Sequence, residues 1–129
     1  MITIDGTREE NLHYKWSPNL KPVASVKDGD EIKVIIPDSS TMQVKPDMTA
    51  EDLTKLDSSK FDAAVGPIYV EGAEPGDALA VDVLDIQTGD WGWSAILNFI
   101  GLLKGKFGDL LVHWRIGNGY AETVGNFLR

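Results

Sequence analysis

The fold is decided by the stretch VGPIYVEGAEPGDALAVDV, residues 65–83, which has the composition of a strand, a turn and a second strand. Its residues Ile68–Val70 are β-branched or aromatic and lie between a Gly-Pro pair and a glycine, which is typical of a short strand. Residues 74–77 read Glu-Pro-Gly-Asp, and the proline and glycine suit the two central positions of a type II turn. Residues 79–83 then alternate Leu-Ala-Val-Asp-Val, which predicts a half-buried strand.

An earlier segment repeats this arrangement. Gly29 and Asp30 precede the apolar run Ile32–Ile36, just as a Gly-Asp pair at 76–77 precedes the later run. We therefore expect the same local device twice, an acidic turn that leads into a core strand. Two short matches also fit a duplicated unit, for which they are weak evidence.

The remaining sequence predicts mostly short strands separated by Gly- or Pro-containing turns, with one or two short helices. This pattern predicts a mainly β fold, either a sandwich or a barrel, as a single domain over residues 1–129. A doubly wound parallel sheet is disfavoured because no long helices alternate with the strands. The further predicted elements are strands at Ile2–Asp5, His13–Ser17 (an edge strand burying Tyr14 and Trp16), Thr41–Asp47 and Leu110–Ile116, a helix capped by Thr49 and reaching about Leu56, and a buried loop or short helix at 95–103. Residues 117–129 show no firm period.

Composition excludes several classes of partner. With 20 acidic and 12 basic residues, the formal net charge is -8 and the isoelectric point is about 4.6. Affinity for nucleic acid depends on clustered lysine and arginine, so we expect no nucleic-acid partner. The same charge disfavours an anionic membrane surface.

The chain contains no cysteine, which excludes a disulfide framework, a thiolate nucleophile and a cysteine metal site. The sequence from Met1 has neither a basic region nor an apolar region of a signal peptide. No apolar run approaches the ~20 residues of a membrane helix. We therefore expect a cytoplasmic protein that does not span a membrane.

Two histidines are present, and neither belongs to a local metal motif such as H-E-x-x-H. Each of His13 and His113 is more simply interpreted as a strand residue that bonds to a backbone group. His13 is the better functional candidate because Lys15 and Ser17 share its predicted face.

Two carboxylates are candidates for a site. Asp38 ends an apolar strand beside two serines. It is either the first residue of an Asx turn, or a metal ligand or site acid that projects from the rim of the sheet. Glu71 follows Ile68–Val70, and a partly buried carboxylate there must be paired or have a raised pKa. A structural role bracing the turn is at least as plausible for Glu71. Trp91 and Trp93 can wall a pocket, but packing is the simpler interpretation.

Several motifs in order resemble the N-terminal part of the acetamidase/formamidase family. They are the pattern His13-x-x-Trp16-Ser17, the pattern Gly29-Asp30-x-Ile32-x-Val34, Asp38, the run from Gly66 to Asp77, the pair Gly92-Trp93 and the run Gly101–Leu103. The run from Gly-Pro to Gly-Asp is the longest and most specific of these. The resemblance covers nearly the whole chain, roughly residues 13–116.

The resemblance implies a β-rich, sandwich-like fold and the hydrolysis of short linear amides, such as formamide or acetamide, to a carboxylate and ammonia. It also implies a divalent metal, zinc or calcium. Matching the family pattern residue by residue gives His13, Asp38 and Glu71 as catalytic residues, with His13 and Asp38 as metal ligands. A metal held by such ligands can activate water and polarise a carbonyl.

Members of that family are considerably longer, and their downstream acidic and histidine-rich segments have no counterpart here. Three hypotheses follow. The chain gives only part of an amidohydrolase site and needs a missing C-terminal half, or it is a truncated, non-catalytic β domain with a structural or binding role. In either case uncovered sheet edges would favour a homo-oligomer.

Overall fold

The structure is a computed structural model that describes residues 1–125 of the chain, and these residues are mainly β. The prediction of a mainly β fold is thereby confirmed, while a sandwich or barrel arrangement stays a prediction. The strands are β1 (Ile2–Asp5), β2 (Leu12–His13), β3 (Ala24–Val26), β4 (Ile32–Ile35), β5 (Ala64–Val65), β6 (Ile68–Val70), β7 (Trp91–Ile96), β8 (Leu110–Gly117) and β9 (Tyr120–Thr123). The helical segments are 3₁₀ helices at Glu9–Asn11, Ala50–Lys55 and Ser58–Lys60.

The chain divides into two compact units, and each is described by itself. The first unit comprises residues 1–43 and 57–82 and holds β1–β6, whereas the second comprises residues 44–56 and those from 83 onwards and holds β7–β9. The prediction of a single domain over residues 1–129 stays a prediction. No helix within residues 1–125 is long and apolar enough to cross a membrane.

The first unit is built from three two-stranded pairs. β1 lies parallel to β4, with Ile2 opposite Ile32, and β3 lies parallel to β6, with Ala24 opposite Ile68. β2 and β5 run antiparallel, which places His13 opposite Ala64. The strands predicted at Ile2–Asp5, within Ile32–Ile36 and at Ile68–Val70 are confirmed, although Ile36 lies beyond the end of β4 and is exposed.

Two turns in the first unit have the same construction, as the sequence predicts. In residues 27–30 the N–H of Asp30 donates to the carbonyl of Lys27 at 3.0 Å, and in residues 74–77 the N–H of Asp77 donates to that of Glu74 at 3.0 Å. Each aspartate also accepts from the N–H of the first turn residue, at 2.8 Å in both turns. The glycines at the third position have φ of 82° and 104°, a conformation that favours glycine.

The second unit contains an antiparallel sheet in the order β7, β8, β9. The predicted strand at Leu110–Ile116 is confirmed as part of β8. The prediction of a buried loop or short helix at 95–103 is wrong, because β7 continues to Ile96 and the loop that follows is exposed, with Leu102 at 101%. β9 lies in the segment for which the sequence shows no period, and residues 126–129 lie outside the described residues.

The predicted helix after Thr49 is present as the 3₁₀ segment Ala50–Lys55. The Asp52 carboxylate accepts from the N–H of Thr49 at 2.9 Å and from the Lys55 ammonium at 2.8 Å. These bonds stabilise the charged carboxylate and lower the pKa of Asp52 to about 2, and the bond from Lys55 has the largest effect. Leu53, within this segment, is buried at 2% exposure.

The strand predicted after the 74–77 turn is not formed. Residues 78–89 have no strand partner within the described chain, and Leu79 and Val81 are 64% and 76% exposed. The alternation of apolar residues is real, but a strand also needs a neighbour that satisfies its backbone groups. Within residues 1–125, no such neighbour is present.

Two other strand predictions are wrong. The segment His13–Ser17 is a strand only at its first residue, and Trp16, predicted to be buried, is 90% exposed. Residues 41–47 contain no strand, and Thr41 and Met42 have φ of 56° and 64°. Such positive values lie outside the extended region that a strand requires.

Gly6 directly follows β1 and allows the chain there to approach β4 and β5 closely. Its N–H donates to the carbonyl of Ile35 at 2.9 Å. A Cβ placed at Gly6 would lie 2.4 Å from that oxygen, 2.5 Å from Cγ2 of Val65 and 3.0 Å from Cδ of Pro37. The position therefore has no room for a side chain.

We predict that Gly6→Ala destabilises the protein by about 1–3 kcal/mol, the typical cost of overpacking. Gly89→Ala is the matched control, because a Cβ there meets nothing within 4 Å. Urea unfolding measured by tryptophan fluorescence gives both free energies. Equal stability of the two variants would contradict the close approach at Gly6.

Candidate active site

His13 is held at the end of β2 with one ring nitrogen engaged. Its Nδ1 lies 3.2 Å from the carbonyl oxygen of Lys15, so Nδ1 carries the proton and donates. Trp16 lies edge-on to the imidazole, with ring centroids 5.5 Å apart. No hydrogen bond reaches Nε2 from any residue in 1–125, so this nitrogen has a lone pair available for a proton or a metal.

Asp38 organises the turn that follows β4. Its Oδ2 accepts from the N–H of Ser40 at 3.1 Å and from the Ser40 hydroxyl, and its Oδ1 accepts from the N–H of Met42 at 2.6 Å. This geometry matches the Asx-turn interpretation. The same bonds hold the carboxylate in one orientation, and they explain why residues 41–47 do not form a strand.

Residues 57–65 connect the Asp38 turn with His13. The carbonyl of Ser39 accepts from the N–H of Asp62 at 2.8 Å, and the Thr41 hydroxyl donates to the carbonyl of Lys60. Two residues after Asp62, Ala64 pairs with His13. The turn and the histidine are far apart in the sequence, but both are attached to the same short segment.

Glu71 lies elsewhere in the first unit, at the end of the parallel pair β3–β6. Its N–H donates to the carbonyl of Val26 at 2.8 Å, and its Oε1 accepts from the Ser25 hydroxyl at 3.0 Å. The side chain is exposed rather than partly buried. Sequence reasoning missed Ser25, because only the parallel register of β3 and β6 places it beside Glu71.

His113, in the second unit, has both ring nitrogens engaged. Nε2 lies 2.8 Å from the carbonyl of Met48, and Nδ1 lies 3.3 Å from the indole N–H of Trp91. Since a carbonyl only accepts and an indole N–H only donates, His113 is neutral with its proton on Nε2. It therefore has the structural role that the simpler interpretation gave to both histidines.

The described residues do not form a complete metal site. In residues 1–125, no three His, Cys, Asp or Glu side chains are grouped so that they could hold a metal ion. A cleft of about 230 Å³ in the first unit lies between β6 and residues 73–79 and is lined by none of the three predicted site residues. His13 suits a metal by its available nitrogen, but this part of the chain supplies no third ligand.

Comparison with known proteins extends this picture. The model of the acetamidase/formamidase family matches residues 4–124. The chain belongs to this family. Among curated members, the formamidase of Methylophilus methylotrophus is 38% identical over 92 residues, which are 69% of this chain and 23% of that protein. The acetamidase of Mycolicibacterium smegmatis is 37% identical over 94 residues, 65% of this chain and 23% of that protein.

A solved structure of this fold is similar along almost the whole chain. The gamma lactamase from Delftia acidovorans superposes with a TM-score of 0.83 at 28% identity, over 95% of this chain and 34% of that one. The resemblance inferred from the motifs is confirmed. The chain nevertheless spans less than a quarter of the length of the curated family members it matches.

We predict that His113→Phe lowers the free energy of unfolding by about 1–3 kcal/mol, because it leaves the Met48 carbonyl and the Trp91 N–H without their partner. The matched control is His13→Phe, which loses a single bond at a half-buried position. Thermal unfolding by circular dichroism compares the two. A larger loss for His13→Phe would contradict the structural role of His113.

Proposed function

We propose that this chain takes part in the hydrolysis of short linear amides to a carboxylate and ammonia, and that it supplies part of the active site. The observation that carries the proposal is the family match over residues 4–124. Relatives named formamidase and acetamidase support the substrate class. Since the matched residues make up 23% of these relatives, we propose that a completing polypeptide, continuous with this sequence or separate from it, supplies the rest of the site.

His13 is the proposed general base. The bond from its Nδ1 to the Lys15 carbonyl fixes the tautomer in which Nε2 can accept a proton. In the proposed reaction Nε2 takes a proton from water, the water oxygen bonds to the amide carbonyl carbon, and the carbon–nitrogen bond breaks. The proton then passes to the departing nitrogen, which leaves as ammonia.

Asp38 and Glu71 are the proposed carboxylates of the site. Asp38 is held in one orientation by the N–H groups of its own turn, so its charge is fixed in place before substrate arrives. Glu71 is held by Ser25 at the end of β6. The completing polypeptide would have to approach both β2 and the end of β6 to use all three residues.

A divalent ion, zinc or calcium, is part of the proposal. Nε2 of His13 and Asp38 would hold it, and Nε2 would then bind the ion in place of acting as the base, because it has a single lone pair. When bound, the ion would supply Lewis-acid activation of the amide carbonyl and of water. Because no third ligand accompanies them within residues 1–125, we propose that the remaining ligands come from the completing polypeptide.

An ammonia-release assay tests the proposal. The chain is incubated with formamide or acetamide and Zn²⁺ or Ca²⁺, alone and after co-expression with the remainder of the Methylophilus formamidase that it does not match. We expect ammonia from the combined proteins, and a loss of about 10²–10⁴-fold for His13→Ala. Lys33→Ala, an exposed strand residue, is the control and should retain full activity.

Absence of ammonia in every combination, from a chain that circular dichroism shows to be folded, would contradict the proposed function. Equal activity of His13→Ala and the unmodified chain would contradict the role of His13 while leaving amide hydrolysis in place.

A further inference from the structure

The turn that follows Asp38 has a strained backbone. Thr41 and Met42 have φ of 56° and 64°, and Asp62, in the segment that the turn contacts, has φ of 54°. Within residues 1–125, four residues other than glycine have a positive φ, and three of them lie here. A β-branched residue such as threonine rarely adopts this conformation, because its side chain crowds the backbone. Strain of this kind persists only where the surrounding contacts fix it, and it is concentrated at functional sites.

Two side chains of the turn fix its position against residues 57–60. The hydroxyl of Thr41 donates to the carbonyl of Lys60, and Thr41 is only 9% exposed. The side-chain amide of Gln43 donates to the carbonyl of Asp57 at 3.0 Å and accepts from its N–H at 2.7 Å. A glycine in place of Thr41 would adopt the same φ without steric cost, but it has no hydroxyl. The threonine thus adds a bond that the residue best suited to this conformation cannot make.

The strained backbone orients the carboxylate of Asp38. The peptide unit between Thr41 and Met42 carries the N–H of Met42, and the torsion angles of these two residues set its direction. That N–H donates to Oδ1 of Asp38 at 2.6 Å, while the N–H of Ser40 donates to Oδ2 at 3.1 Å. Neighbouring N–H groups in such a turn form a concavity that holds an anion. Here the anion is the carboxylate of the turn's own first residue.

We propose that Thr41 is a positioning residue that holds Asp38 in the orientation used by the amide-hydrolysis site. Its bond to Lys60 keeps Thr41 in the left-handed conformation, and that conformation keeps the N–H of Met42 on Asp38. The same bond ties the turn to the segment that continues into β5, the partner of the strand that carries His13. The role in hydrolysis rests on the proposed function, whereas the orientation of Asp38 can be measured without substrate.

The first test measures the turn in the chain labelled with ¹⁵N and ¹³C. Thr41→Val removes the hydroxyl and keeps the β-branched shape, and Thr41→Ser restores the hydroxyl. In Thr41→Val we expect the N–H of Met42 to exchange with solvent about tenfold faster, the factor that corresponds to one lost hydrogen bond. The χ1 couplings of Asp38 should change from those of one rotamer to those of an average. In Thr41→Ser both quantities should match the unmodified chain.

Thr54→Val is the matched control. The Thr54 hydroxyl also donates to a backbone carbonyl, that of Glu51 at 3.0 Å, but in the second unit, so its loss should change neither quantity. If Thr41→Val does not fold, Thr41→Gly takes its place, because glycine adopts the required φ, and the same two changes are expected. Unchanged exchange and couplings would overturn the proposal. Exchange that accelerates equally at all protected amides, or loss of folding in both variants, would also overturn it, since the hydroxyl would then serve the fold as a whole.

The second test is the ammonia-release assay of the combined proteins. Thr41→Val should lower kcat by at least about tenfold with little change in KM, because a fixed carboxylate acts mainly on the transition state. Thr41→Ser should restore kcat. An unchanged kcat in a variant whose Asp38 couplings are averaged would overturn the positioning role. Absence of ammonia even from the unmodified proteins would instead contradict the proposed function, and the exchange and coupling measurements would still decide whether Thr41 orients Asp38.

Discussion

The close approach of strands at Gly6 is the constraint on which the first unit depends. The backbone of Gly6 bonds to Ile35 at the end of β4, and Val65 of β5 and Pro37 occupy the space where a side chain would lie. The Asp38 turn begins immediately after Pro37, and β5 pairs with the strand that carries His13. Two of the three predicted site residues are therefore positioned by elements that meet at one glycine.

Much of the chain's negative charge serves its own turns. Asp30 and Asp77 close the two equivalent turns, Asp38 organises the turn after β4, and Asp52 accepts from Thr49. Asp57 accepts from the N–H and hydroxyl of Ser59, and these bonds lower its pKa. A carboxylate that satisfies backbone donors stabilises a turn without forming a ligand site. An acidic composition is thus compatible with the absence of a three-ligand metal group among residues 1–125.

Local signals in the sequence were sufficient for the elements that local bonds define. The paired Gly-Asp turns, the cap at Thr49 and the strand at Ile68–Val70 all depend on residues within a few positions of one another. Predictions failed where a distant neighbour decides the outcome: residues 79–83 alternate like a strand but have no partner in the described chain, and Trp16 is exposed. The link between His13 and the Asp38 turn through residues 57–65 could not be predicted either, because it depends on pairings across about 20 to 50 positions. The sequence signals for that place are the family motifs that contain His13 and Asp38.

The account of the site depends most on the state of one imidazole, because the proposed base is Nε2 of His13. Long-range ¹H–¹⁵N correlation spectra of the chain, recorded at a pH where His13 is neutral, distinguish the two tautomers directly. The structure predicts that His13 carries its proton on Nδ1, bonded to the carbonyl of Lys15, and that His113 carries its proton on Nε2. A proton on Nε2 of His13 would remove the available lone pair and contradict the account.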